Sequence, residues 1–311
     1  MAVTGSTGNL GRAVVSLLVS AGHHVRAILR PDSGPPPDGA EALRLAGAVR
    51  DNARSALEGA SVLVHLAAYG VQGRDRDWLR AVEANTVDTF HWVQAAAQVG
   101  ASRSVVAGSY FEYEGRGRLP EPSWPEATSA PPCEEDSPLE AWDPYSASKA
   151  AGGVLARALA RDLGHRLWYL RLASLFGPDD DPGRFIPMTV KAARARAPMP
   201  MSPGGQVRDL VHVDDAAHAV LETVTLDPAE GVETVNIGSG QGTSLLDLGR
   251  RVLALAGAPE ALLRPGERPY RPREAHHLVT STARRERLLR WTPRPLEETL
   301  PAVVFALGRR A

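Results

Sequence analysis

Cysteine and lysine are nearly missing from this chain. One cysteine, Cys133, excludes an intrachain disulfide framework and fits a reducing compartment, so a cytoplasmic protein is expected. Lysine occurs only at Lys149 and Lys191, although Lys and Arg together number 35, so arginine carries the positive charge and each lysine stands out. Neither sign of charge is in excess. A formal net charge of −1 supplies no field for nucleic acid or an anionic membrane, and neither partner is expected. No run of about 18 apolar residues is present, which excludes a hydrophobic helical span. The chain does not open on a basic segment followed by an apolar stretch, so no secretory leader is expected. His212, His218, His276 and His277 lack the spacing of a metal site, and no metal is expected. What remains is 311 residues, enough to bury a large core in one big domain or two intimate ones.

Short apolar runs alternate with longer helical patterns. Met1-Ala2-Val3-Thr4 reads as the end of a buried strand. Leu10, Ala13, Val14, Leu17 and Leu18 recur at helical spacing until Gly22. Strands are expected at 24–29, 61–66, 103–107 and 167–172, with one long helix over 77–98. This rhythm predicts a parallel sheet with helices on both faces. It breaks from Gly115 to Pro144, a proline-rich stretch that leads straight into Tyr145. A long loop at that place is expected either to wall a pocket or to run over the surface.

Two motifs carry chemistry. Thr4-Gly5-Ser6-Thr7-Gly8-Asn9-Leu10-Gly11 places three glycines between a strand and a helix. Bare backbone there lets a pyrophosphate approach, and the helix amino terminus offers free N–H groups and a positive dipole end. Tyr145-Ser146-Ala147-Ser148-Lys149 places a phenol and an ammonium four residues apart, on one face of a predicted helix.

The Thr-Gly-x-x-Gly-x-x-Gly spacing resembles the short-chain dehydrogenase/reductase superfamily, and more of the chain resembles its extended branch, the sugar-nucleotide epimerase/dehydratase/reductase family. His65-Leu66-Ala67-Ala68 is similar to that family's motif after the fourth strand. Asn85 matches its helix asparagine, and Gly108-Ser109 the serine-bearing end of its fifth strand. Arg208-Asp209-Leu210-Val211-His212-Val213-Asp214-Asp215, Asn236-Ile237-Gly238 and Trp291-Thr292-Pro293-Arg294 match later signatures, so the resemblance spans the whole chain.

The resemblance implies a seven-stranded, doubly wound parallel Rossmann sheet with a smaller C-terminal α/β substrate-binding domain. Residues 1–173 would form the dinucleotide-binding domain, with 206–240 returning to it. Residues 174–205 and 241–311 would bind substrate. It also implies a homodimer through two helices per subunit, one of them the Tyr145 helix. Gly5, Thr7, Gly8, Asn9, Leu10 and Gly11 would hold an NAD or NADP pyrophosphate, with Leu66, Ala67, Ala68 and Asn85 beside it. Arg30 stands at the end of the second strand, where a carboxylate would favour NAD. Its guanidinium suits a 2′-phosphate, which leans toward NADP, with Asp32 close by. Lys149 would hold the nicotinamide ribose, and its ammonium together with the cationic nicotinamide would lower the pKa of Tyr145. Tyr145 would then move a proton as hydride leaves or reaches the carbon, and Ser109 would bind the reacting oxygen.

On the substrate side, Arg208 and Arg264 would take the diphosphate, and Ser174 stands where many relatives have asparagine. The implied activity is hydride transfer at C4 of a nucleotide-activated sugar, as a 4-epimerase or 4-ketoreductase. Tyr110-Phe111 follow Ser109 where the family's 4,6-dehydratases carry Asp-Glu, so dehydration is not expected. Two other readings stay open, reduction of a non-nucleotide carbonyl compound and a non-catalytic dinucleotide sensor.

Overall fold

The structure, a computed structural model, describes residues 1–71, 77–115 and 130–309. β1 (Ala2–Thr4) passes through the glycine turn into α1 (Asn9–Ser20), which buries Val14, Val15 and Leu18 at helical spacing. β2 (Arg26–Leu29), β3 (Glu41–Arg44), α2 (Val49–Ala56) and β4 (Val62–His65) follow. The helix expected over 77–98 is divided into α3 (Trp78–Val82), a π-helical turn at Glu83–Val87, and α4 (Asp88–Gln98). The π turn buries Asn85, and single π turns recur where a helix must present a functional side chain.

β5 (Arg103–Ser109) runs two residues past its expected end and stops on Ser109. α5 (Pro144–Asp162) opens with proline in its first turn and a capping box between Asp143 and Ser146. β6 (Leu167–Leu172) then enters the core.

The remaining chain builds a smaller α/β region. It contains β7 (Ser174–Phe176), α6 (Phe185–Ala195), β8 (Met199–Met201), β9 (Val207–His212), α7 (Val213–Thr225) and β10 (Val232–Ile237). β11 (Gly242–Ser244), α8 (Leu245–Leu255), β12 (Leu263–Pro265), β13 (His277–Leu278), α9 (Ala283–Leu288) and α10 (Leu296–Arg309) complete it. α7 and β10 leave this region, α7 to pack against α1 and β10 to join the large sheet.

The large sheet has seven strands in the order β10-β6-β5-β4-β1-β2-β3, every pair parallel. The expected Rossmann architecture is therefore present. From β1 the chain winds outward to β2 and β3, then returns to place β4 on the other side of β1. That reversal opens a crevice at the carboxyl ends of β1 and β4, where open α/β sheets bind ligands. β9 centres a second sheet with β7, β11 and β13, and β8 pairs with β12. Phe176, Ile186, Val190, Leu248, Val252 and Val304 seal α6, α8 and α10 into a separate apolar core. Among the described residues, no helix is long and apolar enough to cross a membrane.

Candidate active site

The glycine turn lies in that crevice. Gly5 has φ +68°, and a Cβ on it would sit 2.6 Å from the Ala67 amide nitrogen. A Cβ on Gly11 would overlap the Gly5 carbonyl oxygen. These two glycines let β1, α1 and the end of β4 meet at backbone contact. Gly8 is different. It has φ −74° and is the exposed N-cap of α1, with no side-chain capping bond. A Cβ there would make only ordinary contact, at 3.4 Å from the Gly5 oxygen. Among the described residues nothing requires glycine at position 8, so its bareness fits a group lying on the outside of the turn. The Ser6 hydroxyl at the same turn is buried without a hydrogen-bond partner. Together with the unpaired amides of a helix start, these features fit the diphosphate of a dinucleotide.

Neighbouring elements hold the crevice in shape. Thr4 Oγ1 and Thr89 Oγ1 bracket the ring of His65 at 2.7 and 3.0 Å, and burial drives this histidine down to about 3, into its neutral form. Thr4 Oγ1 also accepts from the Ala67 amide at 3.3 Å, which fixes Leu66-Ala67-Ala68 beside the turn. Asn85 accepts from the Tyr69 amide and donates to the Tyr69 carbonyl and to Ser148 Oγ, tying the loop after β4 to α5.

Arg30 lies at the end of β2 as expected. Its side chain is 78% exposed and pairs with Asp32 at 3.7 Å. Arg44 Nη1 donates to the carbonyls of Arg30, Pro31 and Ser33 and staples this turn.

Ser109, Tyr145 and Lys149 converge at the carboxyl end of β5. Ser109 is buried and caps a 3₁₀ turn over Tyr110–Tyr113. Its hydroxyl accepts from the Phe111 amide at 3.2 Å, and its side chain is hydrogen-bonded with the Tyr145 phenol. Burial pushes Tyr145 up to about 12, offset in part by that hydrogen bond. The protein's own groups thus do not supply the lowering expected from Lys149 together with a cationic nicotinamide. The reason is that the lysine faces elsewhere: Nζ donates to the Ala107 carbonyl, and burial brings Lys149 itself down to about 8. In this state the phenol is a proton donor.

Glu112, one position beyond the pair that replaces Asp-Glu, turns into the core rather than the crevice. It is fully buried and bonds Arg171 Nε at 2.8 Å. Tyr110 is also buried, and its hydroxyl bonds Ser174 Oγ at 2.6 Å, so two departures from the family pattern meet each other.

Arg208 lies on β9, nearly buried, with Nη2 donating to Glu274 at 2.6 Å rather than to Asp209 or Asp214. Asp209 is instead fully buried and accepts from Ser239, Gly240 and Thr280. Arg264 is exposed on β12, in the sheet of β8, whereas Arg208 belongs to the sheet of β9. Sequence reasoning missed Arg184, whose charge acts on both Tyr110 and Tyr145. It also passed over Glu274. Of the proline-rich stretch, residues 116–129 lie outside the described residues. Among the described residues, no group of three or more His, Cys, Asp or Glu side chains forms a metal cluster.

Known proteins place this arrangement in context. A model of the NAD dependent epimerase/dehydratase family matches residues 1–238. The dTDP-L-rhamnose 4-epimerase of Burkholderia thailandensis is 29% identical over 191 residues, covering 59% of this chain and 52% of that protein. The dTDP-glucose 4,6-dehydratase of Streptomyces griseus is 31% identical over 285 residues, covering 82% of this chain and 78% of that protein. The solved structure of MoeE5 in complex with UDP-glucuronic acid and NAD is 25% identical, with a TM-score of 0.82, covering 99% of this chain and 98% of that one. The chain spans about half the length of the first curated relatives it matches.

Two expectations change. The exclusion of 4,6-dehydration does not hold, because a relative with that name matches over most of the chain. The lean toward NADP also lacks support: the similar structure holds NAD, and Arg30 already has a carboxylate partner in Asp32.

Proposed function

Because this chain belongs to the NAD dependent epimerase/dehydratase family, we propose that it transfers hydride at C4 of a nucleotide-activated sugar, the step shared by 4-epimerases, 4,6-dehydratases and 4-ketoreductases. The observation that carries this reading is the convergence of Ser109, Tyr145 and Lys149 beside a glycine turn shaped for a dinucleotide. Gly5, Thr7, Gly8, Asn9, Leu10 and Gly11 would hold the cofactor diphosphate, with Leu66, Ala67, Ala68 and Asn85 lining its other side. When bound, the nicotinamide cofactor supplies or accepts the hydride. Ser109 orients the sugar oxygen, and Tyr145 gives that oxygen its proton in reduction or takes it in oxidation. Lys149 supplies positive charge beneath them.

We assign the cofactor as NAD, because MoeE5 is held with NAD and Arg30 is paired with Asp32. The nucleotide sugar would lie against the C-terminal region of 174–205 and 241–311, with Arg208, Arg264 and Ser174 as contacts. Arg208 is held ready by Glu274 and must exchange that carboxylate for the substrate diphosphate. The adjoining helices α3 and α5 carry exposed apolar residues, Trp78, Leu79 and Val82 on the first and Val154 and Leu155 on the second, and we assign this face to a homodimer.

The test is turnover of UDP- and dTDP-hexoses, followed through the absorbance of reduced nicotinamide and by product chromatography. Tyr145→Phe is expected to lower kcat by at least about 10²-fold, the usual worth of a positioned acid or base, while NAD still binds. Unchanged turnover in that variant would remove Tyr145 from the reaction. Nucleotide released by denaturing the purified protein is expected to be NAD.

A further inference from the structure

Glu112 is fully buried and lies one turn beneath the reacting groups. It accepts three hydrogen bonds, each at 2.8 Å, from the Ser109 amide, the Tyr169 hydroxyl and Arg171 Nε. The same Tyr169 hydroxyl is shared with the Lys149 carbonyl at 2.9 Å, so one phenol joins the acid to α5. Both ends of the arrangement rest on β5. Lys149 Nζ bonds Ala107 O, Glu112 bonds the amide of Ser109, and Gly108 lies between them. A Cβ on Gly108 would sit 2.8 Å from Glu112 Oε1 and 2.5 Å from the Tyr169 ring, so the bare glycine is what lets the carboxylate reach this place.

We propose that Glu112 is a positioning residue, fixing the catalytic serine through its amide and keeping Lys149 an ammonium through its negative charge. This rests on the roles given above to Ser109 and Lys149. The charge inventory around the lysine favours Glu112 as its source. From β4, His65 is held neutral by burial and opposes the ammonium if it protonates. On β6, Tyr169 is held as a neutral phenol, and Arg171 is turned to Glu112, Tyr113 Oη and the Glu135 carbonyl. On the lysine's own helix, Tyr145 is a neutral phenol. Among the described residues, Glu112 is the group whose charge acts on the lysine in the direction that favours its charged form.

The scarcity of lysine makes this measurable without turnover. Lys191 is exposed on α6, so Lys191→Arg leaves one lysine. The full chain is made with ¹³Cε-lysine in that background, and the single signal is titrated with and without Glu112→Gln. Loss of a nearby buried carboxylate is expected to move the Lys149 midpoint down by about one pH unit. Turnover of a nucleotide sugar is expected to show a fall in kcat with KM little changed, and an alkaline limb displaced to lower pH. An unchanged lysine midpoint in a variant that melts cooperatively overturns the proposal. Glu112→Gln leaves Arg171 without its partner. Should that variant not fold, Glu112→Gln with Arg171→Met removes both charges; a smaller shift in the same downward direction is required of it, because losing the Arg171 cation works the other way. A wild-type protein that turns over no nucleotide sugar would strike the proposed reaction, and the lysine titration would still decide the role of Glu112.

Discussion

At the scale of single residues, the site combines groups whose burial works against stability. Lys149 is almost fully enclosed and is brought from its ordinary value of 10.5 down to about 8. The sign follows from proton counting. Between about pH 8 and 10.5 the unfolded chain binds more protons than the folded one, so stability rises with pH across that window. Below it, the cost of the buried ammonium is fully present. A shift of this size corresponds to about 3 kcal/mol, part of which the bond to Ala107 returns. Lys149→Met is therefore expected to be inactive yet more stable at pH 7, by about 2 kcal/mol, with the gain shrinking at alkaline pH. Thermal melts of both proteins at the two pH values check this, and a less stable variant at pH 7 would contradict it. In the wild type, turnover is expected to fall as pH rises through about 8, since the ammonium is lost there while Tyr145, at about 12, keeps its proton.

At the scale of elements, α5 shows packing overruling helix propensity. Gly152 and Gly153 stand in its interior, where alanine would ordinarily stabilise the helix by about 1 kcal/mol. A Cβ on Gly153 would lie 2.5 Å from the Tyr169 hydroxyl, and Tyr169 is fully buried and bonded to Glu112. Overpacking of this kind costs roughly 1–3 kcal/mol, so Gly153→Ala is expected to lower the melting temperature despite its better propensity. A rise would show that Tyr169 has room to move.

The same contrast explains what the sequence makes legible. The glycine turn, the Tyr145/Lys149 spacing and the strand–helix rhythm are local patterns, and each is readable in a short window. β3 was obscured because it is a mostly exposed edge strand with no alternation to detect. The π turn was obscured because five residues do not disturb an apolar period enough to register. The pairs Arg171–Glu112 and Arg208–Glu274 join residues 59 and 66 positions apart, and nothing in either neighbourhood names the other. The lysine's part in the Tyr145 shift was not legible because spacing sets which face a lysine shares, not where its ammonium points.

At the scale of the whole molecule, the most conspicuous unfinished surface is the outer face of α3 and α5. Leu79 is 83% exposed and Trp78 53%, and Val154 and Leu155 on the adjacent helix are also open. Scattered exposed leucines need no explanation, but apolar residues on two adjoining helices fit the homodimer face proposed above. With a net charge of −1, long-range repulsion does not oppose association. A twofold interface uses the same patch on both subunits, so each substitution acts twice. Leu79→Glu together with Leu155→Glu thus alters four positions across the dimer. Even if only half of them are central, the loss of apolar burial, about 1.5–3 kcal/mol per leucine, predicts a dissociation constant weakened by at least about 10²-fold. Sedimentation velocity at micromolar concentration is expected to show a dimer for the wild type and a monomer for the double variant. The substituted leucines are exposed, and the glycine turn's helix packs against α7, so the variant is expected to retain NAD. A wild type that sediments as a monomer, or a double variant that remains a dimer, would assign the α3–α5 face to something other than self-association.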